Sequence, residues 1–101
     1  MKFLGFTMYD VDKTADVAAA SDKVAGTPGM EIMSAYVCMG IPFPGFPDNT
    51  LLSISVVDAE SSEAMAAAAY PVALAGATVW HVPVLEVAAG TSAEVEKKYK
   101  G

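Results

Sequence analysis

The chain has 101 residues, 53% of them hydrophobic and 18% charged, and carries a formal net charge of −6 at pH 7. This length gives one domain, and so apolar a composition excludes an intrinsically disordered protein. All six basic residues are lysines, so the chain lacks the arginine clusters and the basic face that nucleic acids and anionic membranes require, and we expect neither as a partner.

The first part of the chain predicts a strand, a helix and a second strand. Aromatic and apolar residues over Lys2–Met8 favour a strand. Capping residues within 9–14 then precede an alanine-rich helix that extends to about Val24 and stops before Gly26. The run Met30–Met39 predicts the second strand.

The segment Gly40–Asn49, G-I-P-F-P-G-F-P-D-N, has an unusual composition. Its prolines and glycines predict a stiff loop without regular structure. Phe43 and Phe46 give this loop an apolar surface. We consider three roles for it: a connection folded over the end of the sheet, a lid on a pocket, and an arm that docks on a second subunit.

The second part of the chain predicts a third strand and a second helix. Leu51–Val57 alternates and is typical of a strand. Asp58 is the predicted N-cap of an alanine-rich helix. Pro71 predicts that this helix kinks or ends near Tyr70, with a further turn possible before Gly76.

The fourth strand is predicted over Thr78–Ala89, which contains the only tryptophan, Trp80, and the only histidine, His81. Its valines, leucine and tryptophan make it the strongest strand signal in the sequence. Pro83 cannot donate a hydrogen bond to a neighbouring strand, which places this strand at an edge of the sheet or gives it a bulge.

This order of elements, βαββαβ, predicts a ferredoxin-like α+β domain over residues 1–90, followed by a short polar C-terminal helix or tail over 91–101. Right-handed crossovers put both helices on one face of a four-stranded antiparallel sheet. The other face would be bare, and a homodimer that packs sheet on sheet would cover it.

Alternation gives the sheet two faces of different character. We assign the more apolar set to the helices: Leu4, Phe6, Met8, Met33, Val37, Leu52, Ile54 and Val56. The other set mixes apolar with small polar residues: Gly5, Thr7, Ser34, Tyr36, Cys38, Ser53, Ser55 and His81. The second set predicts a ligand cavity between the two sheets of a dimer, and the alternative is that its members are ordinary solvent or interface positions.

The opening M-K-F-L, the closing V-W-H-V-P-V-L-E-V and the order of elements resemble the dimeric α+β barrel superfamily over Lys2–Ala89, and in particular its small single-domain members. The resemblance implies a dimer of ferredoxin-like domains. The superfamily includes cofactor-independent quinol monooxygenases, muconolactone isomerase-like enzymes and haem-dependent members, so the fold implies little about function. Haem-binding members use a histidine ligand, and His81 is the sole candidate here, but nothing around it in the sequence supports haem.

Among the candidate site residues, His81 is the predicted acid or base, because imidazole titrates near neutral pH; a structural, hydrogen-bonded histidine is the alternative. Phe43 and Phe46 join the predicted ligand-binding set. Cys38 is expected to be a small buried hydrophobe, since no motif activates it as a nucleophile. One cysteine excludes an internal disulfide and a cysteine-rich zinc site. We predict no metal and no cofactor.

Three classes of function are compatible with the sequence: a homodimer that binds a small, mainly apolar molecule, a cofactor-independent oxygenase or isomerase with His81 as acid or base, and an assembly protein without a ligand. No apolar run reaches the roughly 20 residues that cross a bilayer. The segment Met1–Met8 is too short for a signal peptide. We therefore expect a cytoplasmic protein.

Overall fold

The computed structural model describes residues 1–87 and 96–99. Its elements are β1 (Lys2–Asp10), a 3-10 turn (Val11–Lys13), α1 (Thr14–Val24), β2 (Met30–Val37), β3 (Thr50–Ala59), α2 (Ser62–Leu74) and β4 (Thr78–Pro83). The strands form one antiparallel sheet in the order β2-β3-β1-β4. This is the ferredoxin-like α+β fold that the sequence predicts. The predicted C-terminal segment 91–101 lies outside the described residues except for 96–99, which are helical.

The last strand lies at an edge of the sheet, as Pro83 predicts, and it ends at that proline rather than at Ala89. The chain nevertheless stays beside β1, because the Val84 N–H donates to the Lys2 carbonyl oxygen at 3.0 Å. The Lys2 ammonium then pairs with the Glu86 carboxylate at 2.6 Å. This hydrogen bond, together with the attraction between the two opposite charges, raises the pKa of Lys2 and lowers the pKa of Glu86.

The helices cover the face of the sheet opposite to the one we expected. Phe3 and Val57 are buried against Met65 of α2, and Tyr9 is buried with Val17 of α1. The assignment of the more apolar set to the helices is therefore wrong for its members on β1 and β3, whereas Val37, opposite Ser53, does lie on the helix side. It is wrong because both faces carry large apolar side chains, and the residues buried beneath the helices alternate along β1 and β3 with the set that we assigned there.

A bulge in β2 breaks the predicted alternation of that strand. The pairing with β3 shifts between Ile32 and Ser34. Beyond the shift, Ala35 lies opposite Ser55 on the helix side of the sheet, whereas Ser34 and Tyr36 lie on the open side. An extra residue in one strand moves every later side chain to the other face.

The second helix is capped by Ser61, whose hydroxyl accepts from the Ala64 N–H at 3.2 Å. The prediction of Asp58 as the cap is wrong, because β3 continues through Asp58 to Ala59. The helix also continues through Pro71 and ends before Gly76, which adopts a φ of 110°. Within the described ranges, no helix is both long and apolar enough to cross a bilayer.

Replacing Ser61 with alanine is expected to lower the free energy of unfolding by about 1 kcal/mol, because the Ala64 N–H loses its acceptor. Urea denaturation followed by circular dichroism would measure this loss. Ser62→Ala is the matched control, since Ser62 is an exposed first helical residue and should change stability little. Equal losses in the two variants would contradict the cap assignment.

Candidate functional site

A cavity of about 140 Å³ lies between the helices and the centre of the sheet. Small side chains from both layers leave this space: Gly5 and Ala35 from the strands, and Ala68 and Ala69 from α2. Helices rich in alanine fill little volume. The bulky residues near the strand ends keep the helices away from the sheet, and the space over the centre of the sheet stays open because no large side chain fills it. Most of its lining is apolar, including Val24, Ile32, Val57 and Met65.

One cross-strand row forms the floor of the cavity. It runs Ala35, Ser55, Gly5, His81 across β2, β3, β1 and β4, and we call it the Gly5 row. The adjacent row on the same face contains Ser53 and Thr7. Gly5, Thr7, Ser53, Ser55 and His81, all members of the predicted ligand-binding set, therefore lie together, on the helix side of the sheet.

Gly5 leaves a notch in the middle of its row. A Cβ atom at this position would lie 2.9 Å from the Ser55 Oγ and 3.9 Å from the Met65 Cε. The absence of a side chain therefore lets the Ser55 hydroxyl lean over the backbone of β1. Close approach of this kind is a common reason for glycine inside a strand.

His81 is half-buried at the end of the Gly5 row. Its ring meets the edge of the Phe3 ring, with centroids 5.4 Å apart and an interplanar angle of 83°. Phe3 is 1% exposed, so the phenyl ring is a rigid support for the imidazole. A neutral imidazole offers one donor and one acceptor, and His81 hydrogen-bonds to none of the described residues.

The serines of the cavity differ in what their hydroxyls do. The Ser53 hydroxyl donates to the Tyr36 carbonyl oxygen at 3.2 Å and so ties β3 to β2. The Ser55 hydroxyl makes no hydrogen bond within the described part of the chain. Ser55 and His81 are therefore the polar groups of the Gly5 row that a bound molecule could engage.

The remaining members of the predicted set lie elsewhere. The β2 bulge turns Ser34 and Tyr36 to the open face of the sheet. Cys38 follows β2, and with Phe46 it lines a separate cavity of about 320 Å³ beneath the loop 40–49. The rings of Phe43 and Phe46 pack edge to face, with centroids 5.2 Å apart. This contact is internal to the loop, so the three roles considered for the loop stay predictions.

Sequence reasoning missed the helical side of the cavity. Met65, Ala68, Ala69 and Val72 line it from α2. Their spacing of i, i+3, i+4 and i+7 marks one helical face. That signal was present, but the run of four alanines from Ala66 to Ala69 covers every side of the helix and hid it.

The open face of the sheet is the more apolar one. Its central row runs Tyr36, Ile54, Phe6, Trp80 across the four strands, and we call it the aromatic row. The Phe6 and Trp80 rings stack with centroids 5.1 Å apart and an interplanar angle of 10°. Tyr36 is 63% exposed and Trp80 39% exposed. Trp80 therefore lies on the open face and does not pack under a helix.

Among the described residues, no group of histidine, cysteine or carboxylate side chains is arranged to hold a metal ion. The cavity lining within that part of the chain contains no aspartate, glutamate, lysine or arginine. The chemistry available in the cavity is therefore hydrogen bonding by hydroxyls, one imidazole and apolar contact.

No protein-family model and no curated protein matches the sequence. Among solved structures, the C-terminal domain of the MgtC protein from Mycobacterium tuberculosis is similar, with a TM-score of 0.64, 6% identity and coverage of 87% of this chain and 92% of that domain. A DUF3240 family protein from Shewanella baltica matches with a TM-score of 0.49, 13% identity and coverage of 86% of this chain and 93% of its own. An antibiotic biosynthesis monooxygenase-like protein from Caulobacter crescentus matches with a TM-score of 0.42, 10% identity and coverage of 84% and 91%. The likeness to the MgtC domain establishes a shared ferredoxin-like fold and nothing about activity.

Proposed function

We propose that the protein binds a small, mainly apolar molecule in the cavity between its helices and its sheet. The supporting observation is a mainly apolar cavity whose central floor row holds two hydrogen-bonding side chains, Ser55 and His81, without protein partners among the described residues; the hydroxyls of Thr7 and Ser21 also line the cavity. Ligand pockets have this composition, with apolar walls and a few polar groups that fix orientation. This proposed cavity lies within a single chain, whereas the sequence predicted a cavity between the two sheets of a dimer.

The size of the cavity limits the ligand. Its volume of about 140 Å³ is close to the roughly 150 Å³ of an engineered apolar cavity that binds benzene. We therefore expect a molecule with about one ring, or a short branched chain, and not a large cofactor.

Filling the cavity is expected to abolish binding. Ala69→Leu adds three carbon atoms to the wall, and the affinity for a one-ring probe such as toluene should fall at least about tenfold, because the probe and the new side chain compete for the same space. Amide chemical shifts in a toluene titration would give the affinity and would show whether the fold is kept.

Ala66→Leu is the matched control, because Ala66 lies on the exposed side of the same helix. This variant should bind toluene like the unmodified chain. If toluene does not bind the unmodified chain, or if both variants weaken it equally, the cavity is not the binding site and the proposal fails.

The proposal extends to a homodimer formed through the open face of the sheet, as in the dimeric α+β barrel superfamily. The aromatic row and its neighbours Leu4, Met8 and Val56 give this face a continuous apolar surface. Soluble monomers seldom expose such a surface, and a second copy of the same face is a self-complementary cover.

The two alternatives make different demands on the cavity. Acid–base catalysis by His81 would use the same site, and turnover of a bound molecule that is lost in His81→Ala while the melting temperature is kept would favour it. A purely structural assembly protein needs no cavity. The cavity therefore favours binding over assembly, and the single titratable side chain in the described lining gives catalysis less support than binding.

A further inference from the structure

The charge of the cavity restricts the ligand further, if the proposed function holds. The described lining carries no formal charge apart from a protonated His81, and the chain as a whole carries −6. A buried ion without a counter-charge is costly, and an anion would also be repelled by the field of the protein. The ligand is therefore expected to be uncharged.

Two of the hydrogen-bonding side chains of the cavity, Ser55 and His81, flank the same place in the floor. Ser55 and His81 are both Cα partners of Gly5, one on each side of β1. Strands lie about 5 Å apart, so these two backbones are about 10 Å apart with only the bare backbone of Gly5 between them. The Ser55 hydroxyl already leans into this interval, as its 2.9 Å approach to a Cβ position on Gly5 shows.

Each of these groups offers one donor and at least one acceptor. A hydroxyl group is their natural complement, because it accepts from one side chain and donates to the other at the same time. Above the notch the wall is apolar: the Met65 Cε of α2 lies 3.9 Å from a Cβ position on Gly5, and Ala68 lines the cavity from the same helix. The polar end and the apolar body of a ligand thus have separate places.

We propose that the ligand is a neutral one-ring alcohol or phenol whose hydroxyl lies in the Gly5 notch between Ser55 and His81, and that Gly5 and Ser55 determine this specificity. Ser53 is not assigned this role, because its hydroxyl already donates a hydrogen bond to the Tyr36 carbonyl oxygen. This inference rests on the proposed function but is separable from it.

A pair of probes of the same shape tests the inference. Phenol and toluene differ by a hydroxyl in place of a methyl group, and titration of each into labelled protein gives two affinities. The unmodified chain is expected to bind phenol about tenfold more tightly than toluene, which corresponds to two hydrogen bonds of ordinary net strength.

Two variants then locate the preference. Ser55→Ala removes the hydroxyl without filling space, and Gly5→Ala places a methyl group in the notch. Gly5→Ala should bring the affinities for phenol and toluene to within about twofold of each other, because the notch is filled. Ser55→Ala should reduce the preference to about threefold, because the bond to His81 stays. Toluene should still bind both variants. The controls are Ser62→Ala, on the exposed first turn of α2, and Gly40→Ala, where a Cβ meets no atom within 4 Å. Both controls should keep the tenfold preference.

The outcomes separate this inference from the proposed function. Equal affinities of phenol and toluene for the unmodified chain would overturn the hydroxyl site but leave the apolar cavity as a binding site. A preference for phenol that survives undiminished in both Ser55→Ala and Gly5→Ala would place recognition outside the notch and would also overturn it. Failure of both probes to bind would overturn the proposed function, and this inference with it.

Discussion

Replacing Phe3 with alanine is expected to remove about 3–5 kcal/mol of the free energy of unfolding. Phe3 is 1% exposed and packs with Val57, Ala59 and Met65 between the sheet and α2. Small domains have only about 5–15 kcal/mol of stability in total. The core is divided into two clusters with a cavity between them, so neighbouring side chains cannot readily close over the lost ring.

Urea denaturation measures this loss, and Phe43→Ala is its control. Phe43 is 49% exposed in the loop 40–49 and touches the edge of Phe46. Its truncation should cost about 1 kcal/mol or less, because a half-exposed ring gives up less buried surface. A cost for Phe3→Ala no larger than that for Phe43→Ala would show that the first cluster does not anchor the fold.

The sequence was sufficient to predict the order and type of every element in the described sheet and of its two main helices. Turn residues separate the elements clearly, and the βαββαβ order admits few topologies. Pro83 correctly marked an edge strand. Exact ends were less predictable: Ser61, not Asp58, caps the second helix, because the pairing of β3 with β2 extends through Asp58 to Ala59.

The orientation of the sheet could not be obtained from hydrophobicity alone. Both faces are apolar enough to be buried, and the face with the larger total apolar volume is the open one. Phe3 and Tyr9 identify the face that packs on the helices, because each is buried against a helix at one end of β1. The proposed dimer would bury both faces, and this would account for the lack, on either face, of the polar alternation typical of a solvent-exposed strand.

The candidate site was predictable in its floor but not in its walls. Gly5, Ser55 and His81 share a face because three regular strands carry them in register. Ser34 and Tyr36 were wrongly placed with them, because no glycine or proline in the sequence indicates the bulge after Ile32. The helical wall depends on how α2 is rotated about its axis, and a helix with alanines on every side gives little sequence signal for that rotation.

Replacing Ile54 with lysine is expected to convert a dimer into a monomer. Ile54 lies between Tyr36 and Phe6 in the aromatic row, at the centre of the open face. A lysine there would bring two like charges, one from each protomer, into an apolar interface, and burying an unpaired charge is costly. We expect a dissociation constant raised at least about a hundredfold. The monomer should keep its fold, because this side chain does not contact the helices.

Sedimentation velocity over a range of concentrations measures the association, with the 10.5 kDa chain mass as the reference for the monomer. Tyr70→Lys is the control: Tyr70 is 65% exposed on α2, which packs on the other face of the sheet, so the added charge should not affect a sheet-to-sheet dimer. An unmodified chain that sediments as a monomer at every concentration would overturn the dimer. A dimer that persists in Ile54→Lys but dissociates in Tyr70→Lys would place the interface on the helices, and the aromatic row would then need another explanation for its exposure.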